Sequence, residues 1–217
     1  MTQRFLDNGR VMPVTAVMAG PCSVVQVKTK AKDGYQSIQV GFGKKKKLSK
    51  SLRGHLKGLE LYSFLREFRT ENSDEIKRGA QIDIQTFSKG DRVKVTGFSK
   101  GKGFQGVVRR HGFGGSPATH GHKDQLRMPG SIGNTAPQRV LRGRRMGGQM
   151  GNTRITVGNL EIIDVIPEEN ILLIKGAVPG ARNGLLLITA PGELKIKQTA
   201  GPAKEAAAPV VEQTKVK

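Results

Sequence analysis

The chain has 217 residues, of which 37 are Lys or Arg and 17 are Asp or Glu, and its formal net charge is +20. Such an excess of positive charge favours a polyanionic partner, with nucleic acid ahead of an anionic membrane surface. The single cysteine, Cys22, excludes a disulfide framework, and the longest apolar runs, Ile171–Ile174 and Leu185–Ile188, are far too short to cross a bilayer.

The N-terminal part of the chain is dominated by short runs rich in β-branched residues. Its first ten residues hold no apolar stretch that could serve as a secretory signal, so a soluble cytoplasmic protein is expected. From Val11 to Phe42, three runs are separated by Gly20-Pro21 and by the Lys-Asp-Gly turn at residues 32–34. Runs bounded by turn-forming residues predict the strands of a meander.

A strongly basic stretch, GKKKKLSKSLRGHLKG, follows at residues 43–58 and contains no acidic residue. A run of like charges is usually a solvated loop, and contact with RNA phosphates is the alternative. The residues alone leave both interpretations open.

Alternating patterns return further along the chain. Residues 81–87 (QIDIQTF) and 91–98 (DRVKVTGF) alternate apolar with polar side chains, which predicts two more strands. Residues 159–166 and 170–176 are two apolar runs joined by Pro-Glu-Glu, and they predict a hairpin.

Between Gly97 and Gly151 the chain contains fourteen glycines and almost no helical or strand periodicity. Residues 100–154 carry eleven basic residues against one acid, Asp124, which is a local net charge of +10. A segment of this composition cannot build a core of its own. We therefore interpret residues 100–154 as a basic extension, inserted into a β-rich globular domain and ordered by a polyanionic partner.

Two glycine-rich motifs at the start of the extension are typical of nucleotide-binding sites, but their surroundings do not fit. Residues 101–106 (GKGFQG) match the spacing of a dinucleotide-binding loop, which must be followed by a helix. The next residues, VVRRHGFGG, are β-branched and then interrupted by Gly112, so no helix is predicted. Residues 97–103 (GFSKGKG) lack the Ser or Thr that follows the lysine of a phosphate loop, and they predict a tight hairpin with basic flanks.

No arrangement of side chains is typical of an enzyme. The four histidines, His55, His111, His120 and His122, lack the neighbouring ligands that would complete a structural zinc site. Asp124 has no second acid in the extension with which to share acid and base chemistry. We expect no catalytic residue, no metal and no cofactor.

Two alternative functions rest on single features. The tripeptide Gly147-Gly148-Gln149 is the one that peptide release factors present to peptidyl-tRNA, so a hydrolase is the first alternative. Net charge alone would suit a histone-like, DNA-compacting protein, although no amphipathic recognition helix can be drawn in the basic region. An RNA-binding protein accounts for both the charge and the extension.

The extension has the composition of a segment that contacts a phosphate backbone. Lysine and arginine neutralise phosphates, and glycine lets the main chain approach closely. Since Phe98, Phe104 and Phe113 are the only rings in this region, recognition of folded RNA shape is expected ahead of recognition of splayed bases. The candidate contacts are Lys100, Lys102, Arg109, Arg110, His111, His120, His122, Arg127, Arg139, Arg142, Arg144, Arg145 and Arg154.

Several blocks, in order, resemble the universal large-subunit ribosomal proteins of the L-three family in its bacterial branch. The blocks are RRHGFGGSPATHGH (109–122), RMPGSIG (127–133), GRRMGGQMGNTRITVGNLEIIDV (143–165), VTGFSKGKGFQGVVRRH (95–111), DGYQSIQVGFG (33–43) and the first 29 residues. The resemblance covers residues 1 to about 194. Members usually have one more strand before the point at which this chain begins.

The resemblance implies a mainly β fold with a translation-protein-type β-barrel. Residues 1–99 and 155–195 would form this barrel, and residues 100–154 would reach into the rRNA toward the peptidyl transferase centre. Residues 196–217, which are rich in Ala, Pro and Lys, are expected to be a disordered tail.

The implied role is that of a primary binder of large-subunit, 23S-type rRNA in early assembly of the subunit. Neighbouring ribosomal proteins would be further partners. The resemblance also favours RNA contact for Lys44, Lys45, Lys46, Lys47 and Arg53. Gln149 corresponds to a glutamine that bacterial members can carry as an N5-methyl derivative, added by a glutamine methyltransferase. Members commonly have Ala in place of Gly147.

Overall fold

The computed structural model describes residues 1–6, 8–70, 76–192 and 196–197, and within them the chain is mainly β with antiparallel pairing. This confirms the prediction of a mainly β fold. The strands are β1 (Thr2–Phe5), β2 (Val11–Met18), β3 (Cys22–Lys28), β4 (Ser37–Lys44), β5 (Tyr62–Arg69), β6 (Gln81–Ile82), β7 (Arg92–Phe98), β8 (Phe104–Gln105), β9 (Gly148–Gln149), β10 (Arg154–Ile166), β11 (Ile171–Lys175), β12 (Leu187–Thr189) and β13 (Ile196–Lys197). The helices are α1 (Lys30–Asp33), α2 (Lys50–His55) and α3 (Val107–His111), with a 3-10 turn at Ile84–Thr86.

Three sheets contain these strands. The largest has the order β1-β2-β11-β10-β7-β12, the second has the order β13-β6-β3-β4-β5, and β8 pairs with β9 alone. By contact density the chain divides into two compact units. The first contains residues 1–15, 90–162 and 174–191, and the second contains 16–89, 163–173 and the described residues from 192 onward.

The first unit has a small apolar interior built on β7. Val93 and Val95 of this strand are buried, because alternate residues of a strand face the same side. Ile162 of β10 and Val14 are fully buried as well. Thr96 is also buried, and its hydroxyl lies 2.8 Å from that of Thr156 on the neighbouring strand, so neither polar group is left without a partner.

The second unit has two apolar clusters, one on each side of β3. Neighbouring residues of a strand point to opposite faces, so Val24 joins one cluster and Val25 the other. The first cluster consists of Val24, Ile38, Val40, Ile76 and Ala80, and the second of Val25, Leu56 and Tyr62. Cys22 packs against the first cluster, and burial raises the pKa of its thiol to about 11.

A polar group of side chains links β3, the turn before β4 and β5 at the surface of the second unit. Lys28 Nζ lies 2.7 Å from a carboxylate oxygen of Glu67, and the Tyr35 hydroxyl donates to the other oxygen at 2.9 Å. The hydrogen bond from Lys28, followed by the one from Tyr35, holds the pKa of Glu67 below its ordinary value. Because solvent screens such pairs, they contribute little to stability.

Two sequence predictions for strands are wrong in part. The three N-terminal runs do form β2, β3 and β4, but they are not one meander, since β2 pairs with β1 in the first sheet. Residues 81–87 form a strand only at Gln81–Ile82, followed by the 3-10 turn. In this turn, the amide of Thr86 donates to the carbonyl oxygen of Asp83, and the amide of Phe87 donates to that of Ile84. Ile84 is buried, but it lies in a turn and not in a strand.

The predicted hairpin is confirmed, because β10 and β11 are neighbours in the first sheet and residues 167–170 form the turn between them. Ile196–Lys197, two residues inside the predicted tail, pair with β6 as strand β13. Residues 198–217 lie outside the described residues. No helix in the described part of the chain is long and apolar enough to cross a membrane.

Gly41 provides a test of packing in the second unit. A Cβ at this position would overlap the ring of Tyr62, which is 7% exposed in the second cluster. We expect Gly41→Ala to lower the free energy of unfolding by about 1–3 kcal/mol, measured as a shift of the urea midpoint at constant slope. Gly54→Ala in α2 is the control: nothing lies within 4 Å of a Cβ at this position, so this substitution should not lower the urea midpoint. Equal midpoints for Gly41→Ala and the unsubstituted chain would contradict this packing.

Candidate nucleic-acid interface

A two-stranded ribbon forms the base of the basic extension. Strand β10 pairs with β7 so that Arg154 lies opposite Phe98, and the pairing continues beyond both strands. The Ser99 amide donates to the Thr153 carbonyl at 2.9 Å, and Lys102 and Gly103 exchange hydrogen bonds with Met150, each of 2.9 Å. Strands β8 and β9 close the ribbon, with Phe104 opposite Gln149. We refer to residues 98–105 and 148–154 as the ribbon.

The ribbon shows that the prediction of a tight hairpin at residues 97–103 is wrong. The backbone partners of these residues lie about fifty positions later in the chain, at residues 150–155. The glycines that suggested a local turn instead allow irregular pairing, as Gly103 has a φ of +69°. The extension thus leaves the globular part of the first unit and returns to it along one path.

Gly151 is required by the geometry of the ribbon. Its φ is +77°, and a Cβ at this position would overlap the carbonyl oxygen of Lys100 on the opposite strand. A side chain here would be strained by the backbone conformation and would also separate the two strands. Glycine at this position therefore belongs to the pairing of the ribbon itself.

Helix α3 follows the ribbon directly, contrary to the prediction that no helix forms there. It begins after Gly106 and ends at Gly112, whose φ of +72° is typical of a helix C-terminus. The β-branched residues that argued against a helix cost only a few tenths of a kcal/mol each. Burial of Val107, which is 4% exposed, and a hydrogen bond of 3.2 Å from Arg109 to Gln105 offset that cost. With only five residues, α3 does not provide the long helix of a dinucleotide-binding unit.

Helix α3 holds the residues that precede the Gly-Gly-Gln tripeptide. Arg110 Nη1 donates to the carbonyl oxygen of Met146 at 2.9 Å, and His111 Nε2 lies 3.0 Å from the same oxygen. A Cβ on Gly148 would lie 2.5 Å from Arg110 Nη1. The guanidinium group therefore rests directly on Gly148.

Gly147 has a similar role toward an aromatic ring. A Cβ at this position would lie 3.3 Å from Phe104 Cε1 and 3.3 Å from the Gln105 carbonyl oxygen. Both distances are shorter than ordinary van der Waals contacts. A shift of a few tenths of an ångström accommodates the alanine that members of the resembled family commonly have at this position. Both glycines of the tripeptide therefore make room for protein side chains.

The outer part of the extension has almost no interior. Residues 117–145 are exposed throughout except for His122, which is half-buried. Large apolar side chains there are also exposed, for example Leu141 at 60%. A few hydrogen bonds give local turns, such as the one of 3.1 Å from the Ser116 amide to Leu126 and one from Arg144 to the Ser131 carbonyl. Packing within the protein therefore contributes little to the order of this segment.

The comparisons with known proteins agree with one another. The model of the ribosomal protein L3 family matches residues 67–170. A protein from Heliobacterium modesticaldum described as large ribosomal subunit protein uL3 is 52% identical over 192 residues, which are 87% of this chain and 91% of that protein. Proteins of the same description from Thermotoga maritima and Herpetosiphon aurantiacus are 50% and 48% identical, with the same coverage.

The chain belongs to the ribosomal protein L3 family. This confirms the resemblance stated from the sequence blocks, and it identifies a ribosomal protein instead of an enzyme. It also decides against the hydrolase and the DNA-compacting alternatives, each of which rests on one feature. The Gly-Gly-Gln tripeptide in this member of the family has the packing role described above.

The predicted RNA contacts are mostly free at the surface. Within the extension, Arg110, His111 and His122 are half-buried and the other candidates are exposed. None of the basic side chains of residues 100–154 forms an ion pair with a carboxylate in the part of the chain that the structure describes. Their charges are therefore not compensated by a carboxylate of the described residues.

The second basic stretch lies in the second unit. Lys45, Lys46, Lys47 and Arg53 are exposed between β4 and the end of α2. Lys44 is also exposed, and its ion pair of 2.9 Å with Glu60 raises the pKa of its ammonium group. Among the described residues, no group of three or more His, Cys, Asp or Glu side chains is arranged to hold a metal ion.

Sequence reasoning missed the structural roles of Phe104 and Gly151. No local pattern distinguishes either residue, since their partners are about fifty positions away. The repeated glycines on both sides of the extension were the only available signal of a pairing between its two ends.

Gly151 and Gly101 form a matched pair for testing the ribbon. Both are glycines of the ribbon region, but nothing lies within 4 Å of a Cβ on Gly101. We expect Gly151→Ala to separate the strands and to increase amide hydrogen exchange at Lys102 and Met150 at least tenfold, because the strain and the clash exceed about 1.4 kcal/mol. Gly101→Ala should leave exchange at both amides unchanged. Unaltered protection in Gly151→Ala would refute the ribbon.

Proposed function

We propose that this chain is a structural constituent of the large ribosomal subunit that binds 23S-type rRNA early in assembly. The observation that carries the proposal is a basic extension with exposed, unpaired cations in a chain about half identical to proteins described as large ribosomal subunit protein uL3. Neighbouring proteins of the subunit are further partners. The ribosome would place the chain in the cytoplasm.

Residues 100–154 are proposed to enter the folded rRNA, toward the peptidyl transferase centre. Eleven basic residues and one acid attract phosphates and release their counterions on binding. The exposed outer segment lacks an interior of its own, so the contacts that order it must come from a partner. A ribbon as narrow as two strands is thin enough to pass between RNA helices.

Residues 1–99 and 155–195 are proposed to be the globular part that remains outside the RNA. Residues 159–193 carry two basic residues against five acids, so this surface is poorly suited to phosphate contact. The exceptions are Lys44, Lys45, Lys46, Lys47 and Arg53, which we propose as a second region of phosphate contact.

Gln149 is proposed as a site of N5-methylation by a glutamine methyltransferase. Its side chain is exposed at the end of the ribbon, so an enzyme can reach it before the subunit assembles. The contacts of Arg110 and His111 with Met146 hold the neighbouring backbone in place. A fixed backbone with an exposed amide is a suitable substrate for such a modification.

The electrostatic part of the proposal predicts a strong dependence on salt. If about six to ten phosphates are neutralised, affinity for a large-subunit rRNA fragment should fall roughly a thousandfold or more between 50 and 200 mM salt. Lys102→Gln should reduce the slope of log affinity against log salt by about 0.9. Lys175→Gln, which removes a lysine paired with Glu161 outside the extension, should leave the slope unchanged. Equal slopes for all three proteins would disprove phosphate contact at Lys102.

The modification is tested by mass spectrometry of chain taken from assembled subunits. Trypsin releases residues 146–154 as one peptide, because Arg145 and Arg154 bound it. We expect this peptide to be heavier by one methylene group, with the added mass on Gln149. Gln149→Asn keeps a primary amide but shortens the side chain, and it should carry no methyl group. An unmodified Gln149 in mature subunits would contradict the proposal.

A further inference from the structure

Phe104 is an apolar ring that the protein leaves uncovered. It is 77% exposed, the largest fraction among the large apolar side chains that the structure describes. Exposure of this size at a single residue is not unusual. Its place is unusual, because it stands at the end of the ribbon in a segment whose other exposed side chains are mainly basic and polar.

The ring is nevertheless held in position. Cε1 and Cζ of Phe104 lie 3.3 and 3.4 Å from the point where a Cβ on Gly147 would stand. Hydrogen bonds between Gly103 and Met150, and between Lys102 and Met150, fix the strand that carries the ring. One side of the ring therefore packs against Gly147, and the rest of the ring is exposed.

A polar side chain lies beside the ring on the same face of the ribbon. Gln149 is the cross-strand partner of Phe104, and side chains of directly opposed residues leave the same face. Gln149 is exposed, and its amide offers both a donor and an acceptor. Lys102, two residues before Phe104, is an exposed cation in the segment of the ribbon that leads into β8.

A flat ring, an amide and a cation together fit a nucleotide. The π face of any base can stack on an aromatic ring, and an amide can hydrogen-bond the edge of that base. An apolar protein partner would cover the ring but would leave the amide and the cation unused. The local charge of +10 also repels basic ribosomal proteins and attracts RNA.

We propose that Phe104 stacks on one unpaired base of the large-subunit rRNA and that Gln149 hydrogen-bonds the edge of the same base. This inference rests on the proposed function, because it names one nucleotide contact within the wider RNA interface. It adds one base contact to an interface that, from the scarcity of rings, is expected to recognise folded RNA shape ahead of splayed bases. A single stacked base would help to fix the position of the ribbon along the RNA.

The test measures binding of the full-length chain to a large-subunit rRNA fragment at constant salt. Phe104→Leu keeps an apolar side chain over Gly147 but removes the π face, and we expect it to lower affinity about tenfold. Phe104→Tyr and Phe104→Trp keep the π face and should bind like the unsubstituted chain. The salt slope should be the same in all four proteins, since no phosphate contact changes.

Two controls separate stacking from a structural effect. Phe5→Leu removes another ring of the first unit that is 71% exposed, and it should leave affinity unchanged. Exchange of the Met150 amide should be equal in Phe104→Leu and the unsubstituted chain. If Phe104→Tyr and Phe104→Trp lost as much affinity as Phe104→Leu, the stacking role would be overturned.

The failure of this inference differs from the failure of the proposed function. Unchanged affinity in Phe104→Leu, with the steep salt dependence intact, would overturn the stacked base alone and leave rRNA binding standing. Absence of salt-dependent binding by the unsubstituted chain would instead overturn the proposed function. The role of Gln149 is tested with a double variant that carries both Phe104→Leu and Gln149→Ala. Its loss of binding free energy should be smaller than the sum of the two single losses, because both side chains contact the same base. Additive losses would show that they contact different nucleotides.

Discussion

Pairing between residues 92–105 and residues 148–161 is the constraint on which the rest of the first unit depends. It begins in the buried part of β7 and β10, where Val93 and Val95 anchor it, and it continues outward through the ribbon. The two ends of a long, glycine-rich extension are thereby brought together. A Cβ on Gly151 would overlap the carbonyl oxygen of Lys100, so the outer part of this pairing requires glycine at that position.

Packing within the extension decreases with distance from this pairing. Near the ribbon, α3 and the tripeptide are held by Arg110 and His111 on the Met146 carbonyl. Beyond them, residues 117–145 are almost entirely exposed and carry cations that no carboxylate compensates within the described chain. Under the proposed function, such a segment is ordered by its contacts with a polyanion. This is the physical reason why charge and lack of core occur in the same residues.

Much of the globular fold could be predicted from sequence, because β2, β3, β4, β7 and the β10–β11 hairpin each show a local pattern. The order of strands could not, since no local pattern shows that β2 lies beside β11 or that β7 lies beside β12. The charge indicated where the extension lies, at residues 100–154. Its internal contacts were missed for two reasons. Burial of Val107 and the hydrogen bond from Arg109 to Gln105 support α3 and leave no signal in the sequence periodicity. Gly147 and Gly148 pack against Phe104 and Arg110, which lie far earlier in the chain.

A cryo-EM map of large subunits that contain this chain would test the central claim most directly. The account predicts that residues 100–154 are enclosed by rRNA, with phosphates near Lys102, Arg142 and Arg145, while residues 159–193 face solvent or protein. It also predicts that β8 and β9 remain paired in the subunit. A map in which residues 100–154 lie in solvent and the acidic part of the chain faces the RNA would contradict it.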